Sequence, residues 1–273
     1  MNKFLEATID DVKNLMVSKK TNKYILFCAG KTGSTHAKKY LDHYNIHFNL
    51  DDQSDGTTVQ RDVYSTQIKE WNGPTQRPIT KEEESTAITI GLIRNPFEWL
   101  LSNFIYNNTP GLAFPAYPNL QCYGNINFEQ FIKKWYHEGF GEYYTFAKTD
   151  VPPGKGDWHR QRTLMHYQVF DQEGYVYPDF LIRTEYLNEG LSILLQAAGA
   201  PGIATGKSNV SRGTNQSTKN KYSKEMIEMV EKVHARELDI LGYSFDGPKD
   251  NFYLINPNKS KIQNFKPVFK GKL

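Results

Sequence analysis

"YILFCAGKTGSTHAKKYL", Tyr24 to Leu41, sets a short apolar run directly against a Gly-Lys-Thr-Gly-Ser-Thr turn and then a helix-like segment. Tyr24 to Ala29 reads as a buried strand, and Ser34 to Tyr44 as a helix. A glycine-rich turn between the two lets successive backbone N–H groups point at one oxyanion, and the helix N-terminus adds favourable partial charge. Lys31 supplies a mobile full charge. The usual ATP/GTP loop, G-x-x-x-x-G-K-[ST], would require Gly at position 25, where Ile25 stands inside the strand. Without that Gly the loop is expected to be shorter, with Lys31 near the strand end, then Gly33 and the hydroxyls of Ser34 and Thr35. Such a turn suits one phosphate-like group rather than a triphosphate. The same letters also fit a plain turn in which Ser34 is a helix N-cap.

The pattern repeats downstream. "AITIGLI", Ala87 to Ile93, is rich in β-branched residues and almost unbroken in apolarity, as expected of a strand buried on both faces of a parallel sheet. It ends at "RNP", and "FEWLLSNFIY" follows with helical spacing. Arg94 falls at the strand end, where packing gives no reason for an arginine, and Ser102 follows about two helical turns on. A planar guanidinium and a hydroxyl make a natural clamp for a second, separate phosphate. A surface salt bridge is the plainer reading of Arg94 taken alone.

Around these motifs, Ile9 to Val17 reads as a short amphipathic helix and "NIHFNL", Asn45 to Leu50, as a further strand. "NFEQFIKKWYHEGF" and "LNEGLSILLQAAG" read as helices, the latter stopped by Gly199 and Pro201, and "SKEMIEMVEKVHARELDILGY" is a helix with Ser223 as N-cap. "DFLIRTEYL" looks like a late strand. The tail from Phe245 onward is rich in Asn, Lys and Pro and is expected to wrap the surface. Short strands alternating with helices argue an α/β sandwich around a mostly parallel sheet, with ligands beyond the carboxyl ends of the strands. The chain of 273 residues is long enough for one large core, so a single domain is expected over 1–273, with its core at about 22–245 and a C-terminal extension at 246–273.

Composition excludes several classes. A net charge of +3, from 33 basic and 30 acidic residues, does not announce a nucleic-acid partner. Two cysteines, Cys28 and Cys122, cannot build a disulfide framework or a four-cysteine zinc site. The first residues, "MNKFLEATIDDVKNLM", lack a basic region followed by an apolar one, and no apolar run nears the roughly 18 residues of a membrane helix. A soluble, cytoplasmic protein without a membrane span is therefore expected. Aromatic residues reach 14%, more than a minimal core needs, which is compatible with a groove that stacks rings or sugars.

These segments resemble a known family. "FCAGKTGSTHAKKYL" is similar to the 5′-phosphosulfate loop of sulfotransferases that use 3′-phosphoadenosine 5′-phosphosulfate (PAPS), and "LIRNPFEWLLSNF" to their 3′-phosphate motif. The likeness continues through "HRQRTLMHYQVF", "DFLIRTEYLNEGLSILLQAAGAP", "NVSRG" and "YSKEMIEMVEKVHARELDILGY" in the order of the carbohydrate-type branch, and covers most of Tyr24 to Tyr243. It implies a P-loop-like α/β fold and transfer of a sulfuryl group from PAPS to a hydroxyl or amine, without a metal. By motif position, Gly30, Lys31, Thr32, Gly33, Ser34 and Thr35 would hold the 5′-phosphosulfate, with Lys31 neutralising charge on the leaving oxygen. Arg94 and Ser102 would grip the 3′-phosphate, and Arg212 is a further candidate contact.

For the general base, His47, Asp52, Asp55 and Asp62 are candidates. Asp55 is preferred because "SDG" sets a carboxylate on a tight turn, although a simple Asx-turn also fits. His159, in "GDWHRQ", is expected to line the acceptor site, and His36 could face either the core or the cofactor. A glycan is the first choice of acceptor, ahead of a lipid or small metabolite and then a peptide tyrosine. The absence of an anchor departs from the eukaryotic carbohydrate enzymes and suggests a bacterial, phage or viral protein, or a trimmed catalytic domain. Two other readings are an ATP- and magnesium-dependent small-molecule kinase, whose loop is broken at Ile25, and a non-catalytic binding module with a relic cofactor site.

Overall fold

The apolar runs become strands and the periodic segments become helices in a computed structural model that describes residues 5–28, 32–46, 85–108, 126–137, 176, 178–201, 204–205 and 218–257. In chain order these are β1 (Leu5–Glu6), α1 (Ile9–Lys19), β2 (Tyr24–Cys28), α2 (Ser34–His43), β3 (Ile88–Ile93), α3 (Pro96–Asn108), α4 (Phe128–His137), β4 (Phe180–Arg183), α5 (Leu187–Ala197), α6 (Lys224–Leu241), β5 (Tyr243–Ser244), β6 (Gly247–Pro248) and β7 (Leu254–Asn256). They fall into two compact units, Met1–Arg94 with Leu164–Asn209 and Asp250–Leu273, and Asn95–Thr163 with Val210–Lys249.

The first unit holds a five-stranded sheet in the order β1-β7-β4-β3-β2. β2, β3 and β4 are parallel, with Tyr24 opposite Ile88 and Cys28 opposite Leu92, then Ile90 opposite Phe180 and Ile93 opposite Arg183. β7 runs antiparallel to β4, and β1 antiparallel to β7. The sheet is thus mostly parallel and flanked by helices, a mixed α/β fold. Alternation puts Tyr24, Leu26, Ile88, Ile90, Leu92, Phe180, Ile182 and Leu254 on one face, in a core with Val12 and Met16 of α1, Ala37 and Leu41 of α2, and Leu191, Leu194 and Leu195 of α5. Ile25, Phe27, Ile93 and Leu181 point the other way and are buried as well. Burial on both faces is why these strands read as unbroken apolar runs.

Side chains fix the ends of this layer. Thr8 caps α1, its hydroxyl accepting from the Asp11 N–H (3.2 Å) while the Asp11 carboxylate accepts from the Thr8 N–H (2.8 Å). At the amino end of the parallel strands, Asp179 accepts from Lys19 Nζ (2.8 Å) and from the Thr89 N–H and hydroxyl (both 2.9 Å), tying α1 to β3 and β4. Gly91 interrupts the branched run of β3 because a Cβ there would lie 2.7 Å from Leu181 Cδ2 and 2.9 Å from Pro178 Cγ. The Tyr24 hydroxyl donates to the Leu194 carbonyl (2.7 Å), and burial pushes the phenol pKa far up, so it stays a neutral donor.

The described part of the second unit is mainly helical, with β5 and β6 pairing antiparallel after α6. In "RNPFEW" the Asn95 side chain accepts from the Phe97 N–H (3.1 Å) and Pro96 opens α3, a favoured N-cap and first-turn pairing. Asn127 and Gln130 cap α4 reciprocally at 2.9 Å, and Ser223 caps α6, which ends on Gly242 at φ 67. Phe97, Tyr222 and Phe245 meet at centroid distances of 5.0 to 5.7 Å, and Phe128 meets Tyr222 at 4.9 Å, with near-perpendicular rings. The Tyr222 hydroxyl also donates to the Phe97 carbonyl (2.8 Å). Aromatic content among these residues therefore serves edge-to-face packing.

Two segments differ from the sequence expectation. Leu5–Glu6 forms a strand ahead of the first expected one, and Leu254–Asn256, expected in a surface-wrapping tail, lies between β1 and β4 in the sheet. Three residues of strand are too few for periodicity to reveal. "NIHFNL" falls mostly outside the described residues. The return of the tail is fixed by charge as well as by the sheet. Arg183, the last residue of β4, is fully buried and pairs through both Nη atoms with the two Asp250 oxygens, Nη2 to Oδ2 at 3.1 Å. Such a fork-to-fork pair is strong only while complete. Asp250→Ala should cost about 3–5 kcal/mol, the usual penalty for stranding a buried charge. Urea unfolding checks this, and a loss under about 1 kcal/mol would show that the pair is effectively solvated.

Candidate functional site

The carboxyl ends of β2, β3 and β4 lie side by side because the three strands are parallel and paired in register. Each expected phosphate motif begins at one of these ends. After β2 the described chain resumes at Thr32, which is fully buried, and Gly33, which takes the N-cap position of α2 with φ 87 and ψ 13. The N-cap is therefore Gly33 and not Ser34, which is the first helical residue. No side chain caps α2, and its first turn carries no acidic residue. Its leading N–H groups and partial positive charge are suited to an anion.

Gly33 is required on two counts. Its positive φ disfavours any side chain, and a Cβ would lie 2.5 Å from Leu187 Cδ2, at the start of α5. A second support comes from Thr184, directly after β4, whose hydroxyl lies 3.0 Å from both the Thr32 carbonyl and the Ile93 carbonyl. Along α2, His36 is buried and its Nε2 lies 2.7 Å from Asn188 Oδ1. The Tyr40 hydroxyl donates to the Thr205 carbonyl and accepts from the Thr205 N–H (2.9 Å); hydrogen bonding from the Thr205 side chain and then its backbone lowers the phenol pKa. Ser192 donates to the Asn188 carbonyl (2.7 Å) and accepts from the Ala204 N–H (3.2 Å). The helix after the turn is thus fastened to α5 and to the chain that follows it.

Of the residues singled out by sequence, the structure brings Thr32, Gly33, Ser34 and Thr35 together at the start of α2. His36 faces Asn188, which answers its open orientation. Arg94 is half-buried and immediately follows β3 in the first unit. Ser102 is buried at 3% exposure within α3, in the second unit. Gly30, Lys31, His47, Asp52, Asp55, Asp62, His159 and Arg212 lie outside the described residues. No group of three or more His, Cys, Asp or Glu side chains able to hold a metal occurs among the described residues. None of the described helices is long and apolar enough to cross a membrane.

Sequence reasoning passed over Thr184, Arg183, Asn188 and Asp250. The rule that picked out Arg94, a polar residue at the carboxyl end of a buried parallel strand, also applies to Arg183 and Thr184 in "FLIRTEYL". Asn188 and Asp250 carry no comparable signal, since their partners are distant in sequence.

No curated protein and no solved structure matches the chain. The model of one family does, over residues 13–244, which include β2, the Gly33 turn, β3, Arg94, β4 and α6. With most of its length matched, this chain belongs to the sulfotransferase family.

Proposed function

We propose that the chain, acting as a single sulfotransferase-like domain, moves a sulfuryl group from PAPS to a hydroxyl or amine of an acceptor, a glycan in the first instance. The observation that carries this reading is the uncapped, acid-free start of α2 behind a left-handed glycine, at the carboxyl end of a parallel strand. That arrangement fits a terminal anion, and the absence of Gly at Ile25 argues against the loop that wraps a triphosphate. Gly30 to Thr35 would hold the 5′-phosphosulfate end, with Lys31 adding the full charge. Arg94 and Ser102 would hold the 3′-phosphate, with Arg212 as a further contact. PAPS supplies the activated sulfuryl group when bound, and the chain's own residues bind, orient and neutralise charge. Asp55 is the proposed general base, and His159 is proposed to line the acceptor site. No metal is required.

Three outcomes test this reading. 3′-Phosphoadenosine 5′-phosphate should raise the melting temperature more than ATP with magnesium does. Equal or greater stabilisation by magnesium-ATP would favour the kinase, and no shift with either nucleotide would favour a binding module. Lys31→Ala and Arg94→Ala should each lower sulfuryl transfer from labelled PAPS into a cell extract by at least about 100-fold, in line with losing one preorganised charge contact. Their melting temperatures should stay within a few degrees of the parent, and full activity in either variant would refute its role. Gly33→Ala should cost about 1–2 kcal/mol for its left-handed backbone and abolish the thermal shift given by the nucleotide. A variant as stable and as responsive as the parent would show that the turn tolerates a side chain.

A further inference from the structure

We infer that Thr184 is a positioning residue for the phosphate-binding turn, holding it in its anion-binding orientation through the Thr32 carbonyl. This rests on the reading of that turn as the 5′-phosphosulfate site. Thr184 lies one residue beyond β4, in the single 3₁₀ turn Thr184–Tyr186, and its hydroxyl is 3.0 Å from the Thr32 carbonyl and 3.0 Å from the Ile93 carbonyl. A threonine hydroxyl has one proton, so the two carbonyls share it as a three-centre bond. One side chain therefore joins the turn after β2, the end of β3 and the end of β4.

The consequence follows from the planarity of the peptide unit. In a trans peptide the C=O and the following N–H point in opposite directions. With the Thr32 carbonyl drawn toward Thr184, the Gly33 N–H is turned away from it, as a donor for an external anion. Gly33 is a cap without a side chain and its backbone has a glycine's freedom, so the bond to Thr184 restrains a peptide that could otherwise take more orientations. Packing assists but does not orient: Leu187 Cδ2 fills the space beneath Gly33, and Thr184 Cγ2 lies 3.8 Å from where a Cβ would stand. The hydroxyl bond to the Thr32 carbonyl gives the peptide plane a direction.

The test uses the full chain with Thr184→Val, which keeps the shape and removes the hydroxyl, Thr184→Ser, which keeps the hydroxyl, and Thr184→Ala as a second hydroxyl-free variant. Binding of 3′-phosphoadenosine 5′-phosphate, by calorimetry, should weaken about ten-fold in the Val and Ala variants. The Ser variant should stay within about two-fold to three-fold of the parent. Adenosine 3′-phosphate, which lacks the 5′ group, should bind all four proteins alike. In the absence of nucleotide, exchange of the Ala37 amide, bonded to the Gly33 carbonyl at 3.0 Å, should quicken about ten-fold without the hydroxyl, while α6 amides stay unchanged.

Parent-like affinity in Val and Ala, a Ser variant as weak as Val, or equal losses for both nucleotides would overturn the inference. So would failure of both hydroxyl-free variants to fold, since the hydroxyl would then hold the fold and not the turn. If the parent binds neither nucleotide, the cofactor reading fails, and Ala37 exchange still decides whether Thr184 holds the turn.

Discussion

The pairing of β2, β3 and β4 in one parallel, doubly buried layer is the constraint from which the rest of the first unit follows. Buried backbone amides and carbonyls must be hydrogen-bonded, and the parallel ladder satisfies them between strands. Once Ile93 is opposite Arg183 and Cys28 opposite Leu92, the chain leaves three neighbouring strands at one edge of the sheet. Polar groups beyond that edge have no ladder to join. They must find partners among themselves or offer themselves to a ligand.

The three exits solve this differently. After β4, Arg183 takes Asp250, and Thr184 takes carbonyls from the other two exits. After β3, the chain passes Arg94 and enters α3 through an asparagine cap and a proline. After β2, the chain enters α2 through a glycine that no side chain caps, so the leading amides of that helix are not matched by a local acceptor side chain. The reciprocal Thr8–Asp11 cap of α1 contrasts with this start, while α5 likewise begins without a side-chain cap but carries Glu189 in its first turn. On the proposed reading, an anion would complete the hydrogen bonding at the acid-free start of α2.

Sequence reading recovered the elements whose signals are local and long. β2, β3 and β4, α2, α5 and α6, and the parallel character of the sheet all follow from unbroken apolar runs, helical spacing and caps. β1 and β7 were not legible because a strand of two or three residues has no measurable period and its place depends on partners far along the chain. The site divides in the same way. Gly33 was visible through its neighbours in sequence, and its role as the cap, in place of Ser34, needed the backbone angles. Thr184 and Asp250 act through contacts separated by 152 and 67 residues, which no single-chain pattern encodes.

Those long-range contacts also change what the absent glycine at Ile25 means. A turn that wraps several phosphates can be shaped by its own glycines and by the anion it encloses. A shorter turn for one terminal group has fewer contacts with its ligand, so its peptides must be oriented beforehand by the protein. On the proposed reading, that orientation would come from the residues after β4 and the start of α5, through the Thr184 hydroxyl and the Leu187 side chain packed beneath Gly33. On that reading, "RTEYL" would belong to the proposed anion site through Thr184 and Leu187. The described end of the opening half-motif, Thr32, is thus held by a residue 152 positions downstream, just after β4.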